Sequence, residues 1–201
     1  MHRTYSAVAI ILFFILCSAG CLSPAAIDRN SAPVVTNSVR DLAELGLGNG
    51  DVPNDFTLTE SRRKNATEVS SLALDLGWQD GYFVQFEKQG SSSLEPTVVS
   101  QSIALYPPER MKDVLQYVVI TEESQYPGSV VNLTDPKIGE ESRAYAVSKT
   151  AGTTENVSSQ DIAYSEIIFT KGPVFEVIRT SGPSADYQTI EDLALKASEK
   201  I

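Results

Sequence analysis

Apolar and polar positions divide the chain into three stretches of different character. Ala7 to Cys17 is an unbroken apolar run of eleven residues. Leu22 to about Val39 is rich in Ser, Pro, Ala and Asn and has no sustained period. From about Asp51 onward, apolar positions recur with the alternation of strands or the three- and four-residue spacing of helices.

In that last stretch the pattern predicts a strand at Phe56–Glu60. A helix follows at Thr67–Leu76, with Val69, Leu72, Ala73 and Leu76 on one face and Gly77 as its stop. Gly81–Lys88 alternates Tyr82, Val84 and Phe86 against Phe83, and Thr97–Tyr106 alternates Val99, Ile103 and Leu105; both read as strands. Pro107-Pro108 ends the second of these and opens a helix striped by Met111, Val114, Leu115 and Val118. Three more strands are expected, at Ser142–Lys149, Ile162–Thr170 and Val174–Thr180. The last two are joined by a tight Lys171-Gly172-Pro173 turn. Tyr187–Ile201 closes the chain as a helix capped by Asp186. The expected order is β-α-β-β-α-β-β-β-α. It implies an α+β class, a largely antiparallel sheet covered by helices, over residues 50–201 as a single domain. A short helical pattern at Val39–Leu45 can dock on it, and Gly46 to Pro53 breaks that helix.

The start of the chain assigns a compartment. A span of the hydrocarbon core takes about 20 apolar residues, so Ala7–Cys17 fits the apolar core of a signal peptide over residues 1–20. Ser18-Ala19-Gly20 then Cys21 resembles the lipobox of prokaryotic lipoproteins, in which a cysteine after small residues is lipidated and becomes the new N-terminus. One departure is Ser18, where that family usually has Leu; Leu16 lies two places further back. Ordinary cleavage beside an incidental cysteine and an uncleaved anchor are the other readings of these residues. The lipoprotein reading makes residues 21–49 a lipidated cysteine and flexible tether. It places the domain at the cell membrane, on its extracytoplasmic face.

Composition narrows the chemistry. Loss of residues 1–20 removes Arg3 and leaves 15 basic and 26 acidic residues, a net of −11. Such a surface repels phosphate backbones, which argues against a nucleic-acid partner. The two cysteines are Cys17 and Cys21, and the one histidine is His2. A chain processed at Cys21 has neither a histidine nor a free thiol, which excludes Ser-His-Asp and Cys-His sites and the usual Cys/His metal centres.

Several residues carry candidate chemistry. Gly46-Leu-Gly-Asn-Gly50 leads through Asp51 and Pro53 into a strand rather than a helix, so it reads as a hinge and not a phosphate cradle. Glu122-Glu123, Asp135 and Glu140-Glu141 lack the spacing of a calcium loop and read as a solvated acidic face. Trp78, Tyr82, Phe83 and Phe86 are expected in the core, with Phe83 opposite Tyr82 and Phe86. Asn65-Ala-Thr, Asn132-Leu-Thr and Asn156-Val-Ser fit the N-glycosylation pattern. No catalytic, cofactor-binding or metal-binding residue is assigned.

The chain also resembles a group of prokaryotic, archaeal-type lipoproteins. The residues concerned are Val52-Pro-Asn-Asp-Phe56, Leu76-Gly-Trp-Gln-Asp-Gly-Tyr82, Ile138-Gly-Glu-Glu-Ser142, Ile168-Phe-Thr-Lys-Gly172 and Ala194-Leu-Lys-Ala197. In element order it is similar to the PsbP-like fold of photosystem accessory subunits and some bacterial lipoproteins. That resemblance implies a fold and a location, with no active-site residues to carry over. Two functions follow as expectations: a non-enzymatic binding or accessory module with an envelope protein partner, or a carboxylate- or cation-dependent extracytoplasmic hydrolase.

Overall fold

A computed structural model of the chain describes residues 41–90, 96–149, 162–182 and 186–201. The signal segment, Cys21 and Asn156 lie outside the described residues. The compact unit that contains the sheet runs from Ser38 to Ile201, so it begins earlier than the residue-50 boundary expected from composition. Leu42 and Leu45, in the short helix expected to dock, are buried, and so is Leu47 in the break that follows.

Seven strands form one antiparallel sheet in the order β1-β2-β3-β7-β6-β5-β4. They are β1 (Thr57–Lys64), β2 (Asp80–Lys88), β3 (Thr97–Leu105), β4 (Val130–Asn132), β5 (Glu141–Ser148), β6 (Ile162–Lys171) and β7 (Val174–Ser181). The helices are α1 (Leu42–Leu45), α2 (Ser71–Asp75), α3 (Met111–Gln125) and α4 (Tyr187–Lys200). The sheet is thus two antiparallel meanders, β1-β2-β3 and β4 to β7, joined where β3 pairs with β7. α3 is the crossover between them. Both edges are blunt: β4 has three residues, and β1 carries Glu60, Arg62, Arg63 and Lys64, which disfavours pairing with another chain.

The α+β class and the antiparallel sheet agree with the sequence pattern, and three elements differ. β4 is a strand that the periodicity does not announce. β1 runs to Lys64 because Arg62 and Lys64 lie over the Phe83 ring of β2. The helix expected at Thr67–Leu76 is split in two. Asn65 caps a single 3₁₀ turn at Ala66–Glu68, with its side chain on the Thr67 amide and the Glu68 carboxylate returned to its own N–H. Ser70 then caps α2 afresh through the Ala73 amide. Two competing caps five residues apart end one helix and start another. Only Ala73 and Leu76 of the expected stripe reach the core, while Leu72 is exposed.

Coverage of the two sheet faces is unequal. On one face, α4 lays Ile190, Leu193, Ala194 and Ala197 over Val99, Ile167, Phe169 and Ile178. Asp186 caps α4 through the Thr189 amide at 2.8 Å. α1 and its following loop finish that face with Leu42 and Leu45 against Ile103 and Val174. Each such aliphatic side chain contributes roughly 1.5–3 kcal/mol on burial. The Gly46–Gly50 loop is a tight structural turn: Asp51 accepts from the Gly48 N–H at 2.7 Å, and Lys200 of α4 reaches both Asp51 and the Gly46 carbonyl.

On the other face, Met111, Val114 and Leu115 of α3 pack on Tyr145, Val147, Tyr164, Ile168 and Phe175, toward β5, β6 and β7. Among the described residues, the β1–β3 half carries no helix of that length on this face. Two glycines fix the borders of the framework. Gly172 takes φ +58 in the β6–β7 turn. Gly139, at φ +68, passes so close to β6 that a Cβ there would lie 2.2 Å from the Thr170 carbonyl oxygen.

Candidate functional site

The register of β1, β2, β3, β7, β6 and β5 sets out rows of side chains across the less covered face. One row is Arg62, Phe83, Ser102, Val177 and Ile168; the next is Glu60, Gln85, Ser100, Arg179, Glu166 and Tyr145. α3 stands over the β6 end of these rows. Its apolar stripe stops at Val118, and one turn later the same face presents Glu122. Between α3 and β1 the sheet floor opens as a groove of about 300 Å³. It is lined by Phe83, Ser100, Ser102, Val177 and Arg179 with Val118, Glu122 and Glu166.

A charged network forms the α3 side of the groove. Arg179 donates from Nε to Glu166 at 2.5 Å and from Nη2 to Glu122 at 3.1 Å. Its guanidinium carbon sits 4.1 Å from the centroid of the Tyr164 ring. The Tyr164 hydroxyl donates to the second oxygen of Glu122 at 2.5 Å, and the Tyr145 hydroxyl donates to the second oxygen of Glu166. All four carboxylate oxygens are therefore satisfied, the condition under which buried charge is tolerated. Glu166 is fully buried, and burial raises its pKa while Arg179 and the Tyr145 hydroxyl pull it back. Burial opposes the Arg179 cation, but the Glu166 charge and hydrogen bond more than offset this and hold it above its ordinary value. Both tyrosines are pushed up by burial and by their carboxylate partners, and so remain neutral donors. Arg179 is thus locked in place before any ligand arrives, at little further loss of side-chain entropy on binding.

The β1 side of the groove is built differently. Lys64 donates from Nζ to the Ser102 hydroxyl at 2.7 Å and lies 5.6 Å from the Phe83 ring centroid. Arg62 crosses the same ring at 5.8 Å while it ion-pairs with Glu60 and Glu68 at 2.5 Å each. Phe83 is the ring that the alternation placed opposite Tyr82 and Phe86. It is half-buried under two cations, whereas Phe86 is buried in the α4 core.

Of the acidic residues singled out from sequence, Asp135, Glu140 and Glu141 come together around one hollow, and Glu122 lies apart from them. Asp135 accepts from the Ser142 hydroxyl and the Lys137 amide, which lowers its pKa and closes the loop before β5. Glu140 accepts from the Gly172 amide at 3.2 Å, and Glu122 belongs to the groove. Among the described residues, no group of three His, Cys, Asp or Glu side chains could hold a metal ion. That hollow, of about 480 Å³, is lined by Asp135, Glu140 and Glu141 together with Lys112, Lys137 and Arg143; Asp135 and Glu140 are already engaged by the loop and the β6–β7 turn, and three cations face the acids. Asn65 and Asn132 are exposed. Among the described residues, no helix is long and apolar enough to cross a membrane.

Sequence reasoning passed over Glu166, Arg179 and Lys64. The signal for the first two was present. Each is a charged residue inside an otherwise apolar strand, and counting back from the two-residue turn at Gly172-Pro173 sets Glu166 opposite Arg179.

No protein-family model matches the sequence, and no curated protein matches it significantly. Among solved structures, the chain is similar to the extracellular domain of PknH from Mycobacterium tuberculosis. The match has a TM-score of 0.52 at 9% identity and covers 78% of this chain and 92% of that one. At that identity the likeness is one of fold.

Proposed function

We propose that the chain is a lipoprotein anchored at Cys21 whose α+β domain is a non-enzymatic, extracytoplasmic binding module, with the groove between β1 and α3 as its binding surface. The observation that carries this reading is the groove itself. One sheet face is covered by α4 and α1, the other carries α3 over part of its width, and the part left open is floored by residues whose orientation is fixed by ion pairs and hydrogen bonds. Preformed concave sites with an apolar floor and a few fixed polar groups are characteristic of small-ligand binding. The PsbP-like assignment is part of the proposal, supported by the helix-covered antiparallel sheet. The extracytoplasmic location is supported by the signal-like start and by the extracellular setting named for the similar structure.

One observation favours a second reading, a carboxylate-dependent hydrolase: Glu122 and Glu166 share one groove. General acid and base work needs one protonated and one ionised carboxyl flanking the scissile bond. Here Arg179 bridges the two, both carboxyls are held by hydrogen bonds within the network, and Glu166 is only 1% exposed. The pair is built to position a cation, not to move protons.

Native mass spectrometry of the protein extracted from its own membranes tests both parts. The expected mass is the chain from Cys21 plus lipid, with a non-covalent small molecule that a Val177→Trp variant loses. Retention of residues 1–20 would refute the anchor. Ligand retained by the Trp variant would refute the site.

A further inference from the structure

At the β1 edge of the groove, the Lys64 ammonium reaches the lining residue Ser102. Lys64 is the last residue of β1, and its stem crosses β2 at Gly81, where no side chain stands in the way. A Cβ on Gly81 would lie 3.3 Å from Cβ of Lys64 and 3.1 Å from the Trp78 ring. That passage draws the side chain inward onto the sheet, and Lys64 is half-buried where its neighbours Arg62 and Arg63 are exposed. Among the described residues it forms no ion pair. The two nearest acids on this edge, Glu60 and Glu68, are both engaged by Arg62. Burial, then the charge of Arg62, lowers the pKa of Lys64, while Glu68 opposes the shift. Among the described residues Glu68 is the acid whose charge reaches this cation, and it is ion-paired to Arg62, so a partly desolvated charge is only partly compensated.

Hydrogen-bond directions sharpen the point. An ammonium only donates, so the Ser102 hydroxyl must accept from Lys64, and its own proton is then directed elsewhere. Ser100 is two residues back on β3 and so on the same face, and it also lines the groove. This stretch therefore presents donors, Lys64 Nζ with the Ser102 and Ser100 hydroxyls, and no carboxylate. Beside it lie the apolar surfaces of Phe83 and Val177. Arg179, the other cation of the groove, is neutralised by Glu166 and Glu122, so Lys64 alone has charge to offer.

We propose that Lys64, Ser102 and Ser100 form an anion subsite, and that the ligand is a small organic anion, a carboxylate or phosphate monoester, whose apolar body lies on Phe83 and Val177. This rests on the groove being the binding surface. The net charge of the chain excludes polyanions from approach, so the anion is a compact one, recognised locally.

The test uses the full chain in detergent micelles and four probes: benzoate, phenyl phosphate, neutral benzamide and inorganic phosphate. Binding is read by amide shifts and by titration calorimetry. Benzoate and phenyl phosphate are expected to shift Phe83, Ser100 and Ser102 and to bind about tenfold tighter than benzamide. Their affinity ratio reports which anion the subsite suits. Lys64→Met should abolish the benzoate advantage and leave benzamide unchanged, Lys64→Arg should restore it, and Ser102→Ala should weaken benzoate alone. Equal binding of benzoate and benzamide, unaffected by Lys64→Met, overturns the anion subsite while the groove reading survives. Inorganic phosphate binding as tightly as phenyl phosphate overturns the role given to Phe83 and Val177. Silence of all four probes across the groove overturns both the subsite and the groove.

Discussion

Replacing Glu176 by glutamine is expected to stabilise the protein at neutral and alkaline pH and to leave it unchanged in acid. Glu176 lies on the α4 side of the sheet, completely buried under α1 and its loop. Oε2 accepts from the Gln101 side-chain amide at 3.0 Å, and Oε1 has no partner among the described residues. Gln101 in turn accepts from the Leu47 N–H at 2.6 Å, so the carboxyl supports the strap that crosses this face. Burial raises the Glu176 pKa from 4.5 to about 7, against the opposing hydrogen bond from Gln101 and the positive charge of Lys200.

The sign follows from linkage. Below 4.5 both folded and unfolded chains hold the proton, and Glu176 contributes nothing to the pH dependence. Between 4.5 and about 7 only the folded chain holds it, so stability falls as pH rises, by about 1.4 kcal/mol per unit. Above about 7 the loss is complete, at about 3 kcal/mol. The amide imitates the protonated acid and does not titrate. The advantage of Glu176→Gln over the wild type should therefore grow from below about 1 kcal/mol at pH 5 to about 3 kcal/mol at pH 8. Urea unfolding followed through the fluorescence of Trp78, the one tryptophan, measures the difference, and contributions from other titrating groups cancel in it. A difference that stays constant from pH 5 to 8, or a glutamine variant less stable at pH 8, would refute the reasoning.

Three further outcomes are expected. Arg179→Met leaves Glu166 buried without its cation. Breaking such a pair costs about 3–5 kcal/mol when fully enclosed, and because the Arg179 side chain is 39% exposed about 2–3 kcal/mol is expected at pH 7. That loss should be smaller in acid than at neutral pH, because burial already raises the Glu166 pKa and the carboxyl takes up a proton more readily without its cation; a loss of equal size in acid and at neutral pH in urea unfolding would contradict the network. Gly139→Ala must place a Cβ against the Thr170 carbonyl at a positive φ, and thermal melts should show a loss of about 2 kcal/mol or more, whereas an unchanged melting temperature would mean that the β5 entry is looser than its geometry. Cys21→Ser should abolish lipid attachment and move the chain out of the membrane fraction; identical fractionation of the variant and wild type would refute the lipid as the anchor.

Much of the fold was legible because alternation and helical spacing report burial directly. β2, β3, β6, β7 and α4 begin and end within one or two residues of the pattern, since most of their inward positions are apolar. β1 was cut short because Ser61-Arg-Arg-Lys64 has no apolar side: its inward face is made of cation stems over Phe83. The split at Val69 turned on cap chemistry, which a count of apolar spacing passes over. The groove was only half legible. Phe83 was assigned to the face opposite Phe86, and register alone sets Glu166 against Arg179 once the turn is placed. That this face is the uncovered one depends on where α3 crosses, a tertiary fact with no local signal. That Lys64 has no ion pair among the described residues likewise required knowing that Glu60 and Glu68 both turn to Arg62.

The measurement that bears most directly on the binding-module account is a crystal structure of the protein as extracted from its own membranes, with whatever it retains. The account predicts ordered density for a small molecule on the floor formed by Phe83, Ser102 and Val177, between Lys64 and Arg179. A retained molecule seated on any other surface, with this groove empty, would contradict it.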